Sequence, residues 1–285
     1  MGVARTKDRS VAASCGIAVM AKASLPGKAK TRLVPPLTFE EAAAFNTAFL
    51  QDVAANIATA GQDAAIACYM AYGPAGAAVF FESHFPPSVG LIESSHPNFG
   101  DCLFTAIAQV LARGHASAVV LNADSPTLPT ALLVETARVL AQPGDRAVLG
   151  PSSDGGYYLL GLKAPHRRLF DDVAWSTERV AQQTRERAAE IGLAVHVLPE
   201  LYDVDDAASL QTLRGELIDG RPFASACSGE VVAGSPTRTC ANERSSLRPA
   251  PAAYSAALLR SLLAEGDLAE RLDPGVAAGA MRAAE

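Results

Sequence analysis

The sequence predicts an α/β fold, a Rossmann-like and mostly parallel sheet with helices on both faces, and three observations carry that expectation. With 285 residues, 49% of them hydrophobic, the chain is long enough to bury one large core. From residue 16 to about residue 213, short apolar runs alternate with stretches of helical periodicity, the pattern of strand–helix repeats. Helix-start signals stand at several of the joints. Right-handed crossovers in such a sheet put ligands at the carboxyl ends of the strands.

Taken in order, a strand is expected over residues 16–20, then a cationic loop, then a helix over 39–59 that Thr38 and Glu41 open as a capping box. A strand over 64–70, a helix over 75–84 and a strand over 89–93 follow. Next come a helix over 100–113, a strand over 118–122 and a helix over 130–141, with Pro129 suited to its first turn. Strands over 147–149 and 157–161 flank a Gly-containing turn, which reads as a hairpin. Ser176, after Trp175, is the expected N-cap of a helix over 177–191. A strand over 194–198 and a helix over 207–214 complete the domain, residues 15–216. Residues 1–14 are expected to be a disordered leader, because the apolar run after Arg5, Lys7 and Arg9 is short and is broken by Lys22. Residues 217–251, rich in Ser, Pro, Gly and Arg, read as a flexible linker. Residues 252–285 read as a helical extension, with helical spacing over 252–272, that docks on the core or on a partner such as a second copy of the chain.

Composition narrows the function classes. The chain carries 30 Asp and Glu against 24 Lys and Arg, a net charge of −6, which argues against a nucleic-acid-coating face. Any anion site must then be local. The five Cys residues (Cys15, Cys68, Cys102, Cys227, Cys240) form no C-x-x-C pair, so neither a zinc module nor a disulfide framework is supported, and a cytoplasmic location is expected. No run approaches the length needed to span a membrane, and the five His residues lack metal-ligand spacing.

Four segments could do chemistry. In AKASLPGKAKTRL, residues 21–33, Lys22, Lys28, Lys30 and Arg32 follow the first strand, with Pro26 and Gly27 shaping the loop. Cations there would meet a polyphosphate at the sheet edge, although the spacing is not that of a Walker A loop; alone, the run is a solvated basic loop. In NADSPTLP, residues 122–129, a buried strand delivers Asp124 to its carboxyl end, good placement for a Mg²⁺ (or Mn²⁺) ligand. In DVDD, residues 203–206, one of Asp203, Asp205 and Asp206 could supply a second carboxylate while another caps the next helix. In LGPSSDGGYYLLGL, residues 149–162, Asp154, Gly155 and Gly156 form a turn that could read an acceptor or a nucleotide. Together these are the parts of metal-assisted chemistry on a phosphorylated nucleotide.

In that order, with VAWST at 173–177, the motifs resemble the bacterial rSAM/selenodomain-associated transferases, also labelled arsenosugar-biosynthesis glycosyltransferases. The resemblance covers residues 15–215 and implies a GT-A-like nucleotide-diphospho-sugar transferase fold. The opening loop is also similar, more distantly, to 2-phospho-L-lactate guanylyltransferase. The resemblance implies that Lys22, Lys28, Lys30 and Arg32 face the triphosphate and that Asp124 and Asp205 hold Mg²⁺. Lys22, Lys30, Arg32 and Asp124 are the residues expected to serve catalysis, and Asp154, Gly155, Gly156 and Ser176 those expected to meet the acceptor. The chain departs from the family pattern at Cys102, where Arg is expected, and in the late motif D-V-D-T-x-x-D-L, where it has Asp206 for Thr and Ser209 for Asp.

Two enzymatic readings share this layout. In one, an NTP transfers its nucleotidyl group to a small phosphate or phosphonate acceptor and releases pyrophosphate, which calls for strong positive charge at the departing phosphates. In the other, an NDP-sugar is the donor in glycosyl transfer. The four-cation loop favours nucleotidyl transfer, and a non-catalytic nucleotide-binding protein is a third reading.

Overall fold

The computed structural model describes residues 14–221, 248–265 and 267–272. Its seven strands are β1 (Cys15–Lys22), β2 (Ile66–Gly73), β3 (Gly90–Glu93), β4 (Ser117–Leu121), β5 (Ala147–Pro151), β6 (Tyr157–Leu162) and β7 (Val195–Val197). They form one sheet in the order β3-β2-β1-β4-β6-β5-β7. β6 runs antiparallel to both of its neighbours, while the other pairings are parallel. All seven expected strands are present, and the hairpin expected from the Gly turn is the β5–β6 pair.

The helices are α1 (Phe39–Ala60), α2 (Ala78–His84), α3 (Phe99–Ala112), α4 (Thr130–Ala141), α5 (Val180–Glu190), α6 (Ala207–Leu217), α7 (Ala253–Glu265) and α8 (Leu268–Arg271). Apolar residues of α1, α2 and α4 pack on one face of the sheet through Leu50, Val53, Phe81 and Leu133. Those of α3 and α5 pack on the other through Leu103, Ile107 and Ala188. Central β1 is sealed from both sides: Ile17, Ala18 and Val19 have no exposed surface. Cutting Ile17 down to Ala should cost about 2–5 kcal/mol.

The order of the strands fixes where a site can form. After β1 the chain moves outward through β2 to β3, then returns by α3 to lay β4 against the other side of β1. The carboxyl ends of β1 and β4 therefore flank the point where the winding reverses, the crevice in which open α/β sheets bind ligands.

The start of α1 is as expected: Thr38 Oγ1 accepts from Glu41 N and Glu41 Oε2 accepts from Thr38 N. The start of α5 is not. Ser176 is not its N-cap; it lies in the left-handed region (φ 64°), and the helix begins at Val180 with Arg179 before it. The carbonyl of Gly155 takes the amide of Ala181 at 2.9 Å, so a distant turn supplies an acceptor for the helix start. Trp175, just before it, packs on the other side against the start of α3. Its indole lies against Gly100, where an added Cβ would come within 2.7 Å of it, and it meets Phe99 edge to face.

A third cluster joins Leu33, Phe45, Phe49 and Val204 to Leu210 and Leu213 of α6 and to Leu259, Leu268 and Leu272 of the C-terminal segment. The helical spacing over 252–272 is thus realised as the helices α7 and α8 on the core. The expected leader lies outside the described residues except for Ser14, as does most of the expected linker. At the linker's edges, Leu217 still belongs to α6 and Ala250 is buried. Among the described residues no helix is long and apolar enough to cross a membrane.

Candidate functional site

The cationic loop leaves β1 under constraint. Asn46 of α1 donates its amide to Lys22 O at 2.9 Å and to Ser24 Oγ at 2.8 Å, and Gly27 adopts φ 72° in open space. Lys30 takes the left-handed conformation (φ 51°), uncommon for a residue with a Cβ. Lys22, Pro26, Lys28 and Arg32 are exposed. Among the described residues Lys22 and Lys28 have no ion-pair partner within the described geometry.

Lys30 behaves differently. Its side chain is only 6% exposed, and its ammonium passes 5.2 Å from the centre of the Phe49 ring. It ends at 2.7 Å from Asp124 Oδ1, 3.0 Å from Asp205 Oδ1 and 2.7 Å from Val204 O. Two carboxylates 81 positions apart in the chain thus converge on one cation. Arg32 approaches the far oxygen of Asp205 at 3.4 Å. Burial opposes the charge on Lys30, but Asp124 and Asp205 outweigh it and hold its pKa above the ordinary value. At Asp124 burial dominates and, with the charges of Asp205 and Asp154, raises the carboxyl pKa against the pull of Lys30.

Asp203 is the residue that sequence reasoning left without a role. Its Oδ1 accepts from Asn122 Nδ2 and from Ser125 Oγ, both at 2.8 Å, so it ties the loop carrying Asp205 to the loop carrying Asp124. The backbone repeats the tie: Val204 N donates to Asp124 O at 2.8 Å. Burial, then the charge of Asp124, pushes Asp203 up to about 6. The signal was present in the D-V-D spacing, since alternate residues of an extended segment share a side.

Asp206 is the N-cap of α6. Its Oδ1 accepts from Ser209 N at 2.8 Å, and Ser209 Oγ accepts the amides of both Asp206 and Asp205 at 3.0 Å. The departures at 206 and 209 therefore form a complete capping box with the carboxylate and hydroxyl exchanged. Cys102, the other departure, is buried, with its Sγ against the backbone amide of His96 at 3.3 Å.

Opposite the cations, Asp154 Oδ1 accepts from Gly156 N at 2.9 Å. Gly155 has φ 85°, and a Cβ there would lie 2.0 Å from Glu178 O, so no other residue fits. A cleft of about 430 Å³ opens here, bounded by Arg32, Asp154, Asp203, Asp205 and Asp206. Ser176 is exposed, in the segment that packs on this turn. The site thus joins Lys30, Arg32, Asp124 and Asp205 directly and sets Asp154 on the cleft wall. It leaves Lys22 and Lys28 on the outer lip.

The donor set suits a hard divalent cation. Asp124 and Asp205 already aim oxygens at one point, and among the described residues no cluster of three or more ligating side chains exists. A two-carboxylate site completed by water and substrate oxygens is the ordinary habit of Mg²⁺. Binding there requires the Lys30 ammonium to move aside.

Residues 56–177 match a bacterial family, DUF2064, described as an uncharacterized protein conserved in bacteria. That span includes Asp124, the Gly155 turn and Ser176 but neither the cationic loop nor Asp205. No functionally curated protein matches the sequence. The chain is similar to a crystal structure from Desulfovibrio desulfuricans G20, provisionally described as a nucleotide-diphospho-sugar transferase. The identity is 25%, covering 91% of this chain and 98% of that one, with a TM-score of 0.69. The match takes in more of the chain than residues 15–216, so it reaches into the C-terminal segment. More distant is CMP:2-keto-3-deoxy-manno-octonic acid synthetase complexed with CTP (13% identity, 73% of this chain and 100% of that one, TM-score 0.47). A manganese complex of Rv0371c from Mycobacterium tuberculosis H37Rv is more distant again (16% identity, 70% and 96%, TM-score 0.40).

Proposed function

We propose that this protein is a divalent-metal-dependent transferase that moves a nucleotidyl group from an NTP to a small phosphate- or phosphonate-type acceptor, releasing pyrophosphate. The observation that carries the reading is the convergence of Lys30, Asp124 and Asp205 at the winding reversal, beneath a lip that bears Lys22, Lys28 and Arg32.

In this reading Asp124 and Asp205 hold Mg²⁺ or Mn²⁺, which when bound would neutralise phosphate charge. Lys30 turns from the carboxylates to the phosphate chain, and Lys22, Lys28 and Arg32 offset the charge that collects on departing pyrophosphate. Asp203 keeps the two carboxylate-bearing loops in register, since a small misplacement of reacting groups costs rate steeply. The Asp154–Gly156 turn fronts the acceptor, its glycine backbone permitting close approach, with exposed Ser176 beside it.

A second reading, glycosyl transfer from an NDP-sugar, is favoured by the description of the Desulfovibrio structure. The test is to incubate the protein with Mg²⁺, each NTP and phosphorylated acceptors, and separately with NDP-sugars. Pyrophosphate formation is expected; free NDP from an NDP-sugar would establish the second reading, and binding without turnover would refute both.

A further inference from the structure

The C-terminal segment reaches the candidate site through side chains that neither the motifs nor the proposed chemistry use. Arg271, at the end of α8, makes a two-point contact with Glu41: its Nη1 donates to Oε2 at 2.8 Å and its Nη2 to Oε1 at 2.7 Å. The same Nη1 donates to the carbonyl of Pro36. Pro36 lies just after the cationic loop, where Leu33 N donates to Lys30 O at 3.0 Å and Leu37 N to Leu33 O at 2.9 Å. On its other side α8 touches α6, because Gln211 Nε2 donates to the carbonyl of Leu272. α6 is the helix whose capping box holds the backbone of Asp205. Leu268 and Leu272 fill the space between, packed with Leu33, Leu37, Leu210 and Leu213.

From this we infer that α8 is a clamp that positions the cationic loop against the Asp205 helix, with Arg271 and Gln211 as its positioning residues. Lys30 and Arg32 tie the loop to the carboxylates; beyond them, a planar guanidinium held at two points by Glu41 fixes direction as well as distance. Glu41 also closes the cap of α1, so one carboxylate sets the start of that helix and the clamp together. The functional consequence rests on the reading of this loop as a phosphate grip; the mechanical one does not.

The test uses the full chain as wild type, R271A, R271K and Q211A, with amide hydrogen exchange and calorimetric titration of inorganic tripolyphosphate in Mg²⁺. In R271A the amides of Leu33 and Leu37 should exchange at least about five-fold faster while those of β1 keep their protection, and tripolyphosphate should bind about five-fold more weakly. R271K should fall between R271A and wild type, since an ammonium restores a point contact but not the fork. If R271A loses protection throughout, Q211A decides in the same way, because it removes only the tie to α6. Unchanged protection at Leu33 and Leu37, or faster exchange with unchanged tripolyphosphate affinity, would overturn the positioning role. Failure of the wild type to bind tripolyphosphate would instead overturn the phosphate reading, and the exchange rates would still decide the clamp.

Discussion

The two edges of the sheet both bury polar side chains, and they do so with opposite outcomes. At the amino edge His115 contacts Ser14 Oγ through Nδ1 and Tyr69 OH through Nε2, each at 2.6 Å. Burial, then the nearby Arg113 charge, lowers its pKa, so the ring stays neutral and both nitrogens are satisfied. At the carboxyl edge Asp124 and Asp205 meet on a single buried ammonium, with Asp203 beside them on Asn122 and Ser125. A closed neutral network specifies packing. An excess of like charge in a cleft is instead the arrangement in which functional groups are found.

Four substitutions break or sharpen that contrast. The largest effect is expected for Asp124→Asn, which keeps volume and leaves Lys30 its contacts with Asp205 and Val204. Turnover measured as pyrophosphate release should fall by about 10³-fold, or about 4 kcal/mol of barrier, with little change in melting temperature. Next, Lys30→Ala leaves Asp124 and Asp205 without their buried cation. In chelator it should lose about 3–4 kcal/mol of stability by denaturant titration, and Mn²⁺ should restore more to the variant than to the wild type. An unchanged unfolding midpoint would mean that the charges do not converge.

At the opposite edge, His115→Ala removes a buried ring and the contacts it makes with Ser14 and Tyr69, so about 2–3 kcal/mol of stability should be lost. Its kcat/KM should stay within about two-fold of wild type. The smallest effect concerns Asp203→Asn and depends on pH. The folded protein holds the Asp203 proton up to about pH 6, whereas the unfolded chain releases it near the ordinary carboxylate value. Wild-type stability from this group is therefore present at low pH and lost as pH rises through about 4 to 6. The variant escapes that loss, so it should be the more stable protein at pH 8 by at most about 2 kcal/mol, allowing for partial exposure. The two should converge below about pH 4; a constant difference across that range would remove the assigned burial.

Much of this was legible in the sequence because local chemistry dictates it. The seven apolar runs became strands, Thr38 and Glu41 became a reciprocal cap, and Asp124 and Asp205 lie where a strand end and a helix start must bring them. What was illegible depends on distant neighbours. Nothing near Lys30 announces that its side chain is buried, since that follows from Phe49 and from carboxylates over 90 and 170 positions away. The start of α5 was misplaced because a carbonyl from the Gly155 turn supplies the acceptor assigned to Ser176. Asp206 and Ser209 look like two losses from a motif only when hydrogen bonds are read one residue at a time.

The start of α7 extends this lesson to how the chain is built. The residue before that helix is Ala252, which has no side chain to cap it; Asp52, buried in α1, accepts the amides of Tyr254 and Ser255, each at 2.8 Å. A terminus borrowed in this way exists only once its lender is in place. The start of α7 thus depends on α1. Excised as a peptide, the segment that carries it should be largely coil, and grafted onto another sheet it would lack the carboxylate that starts its helix.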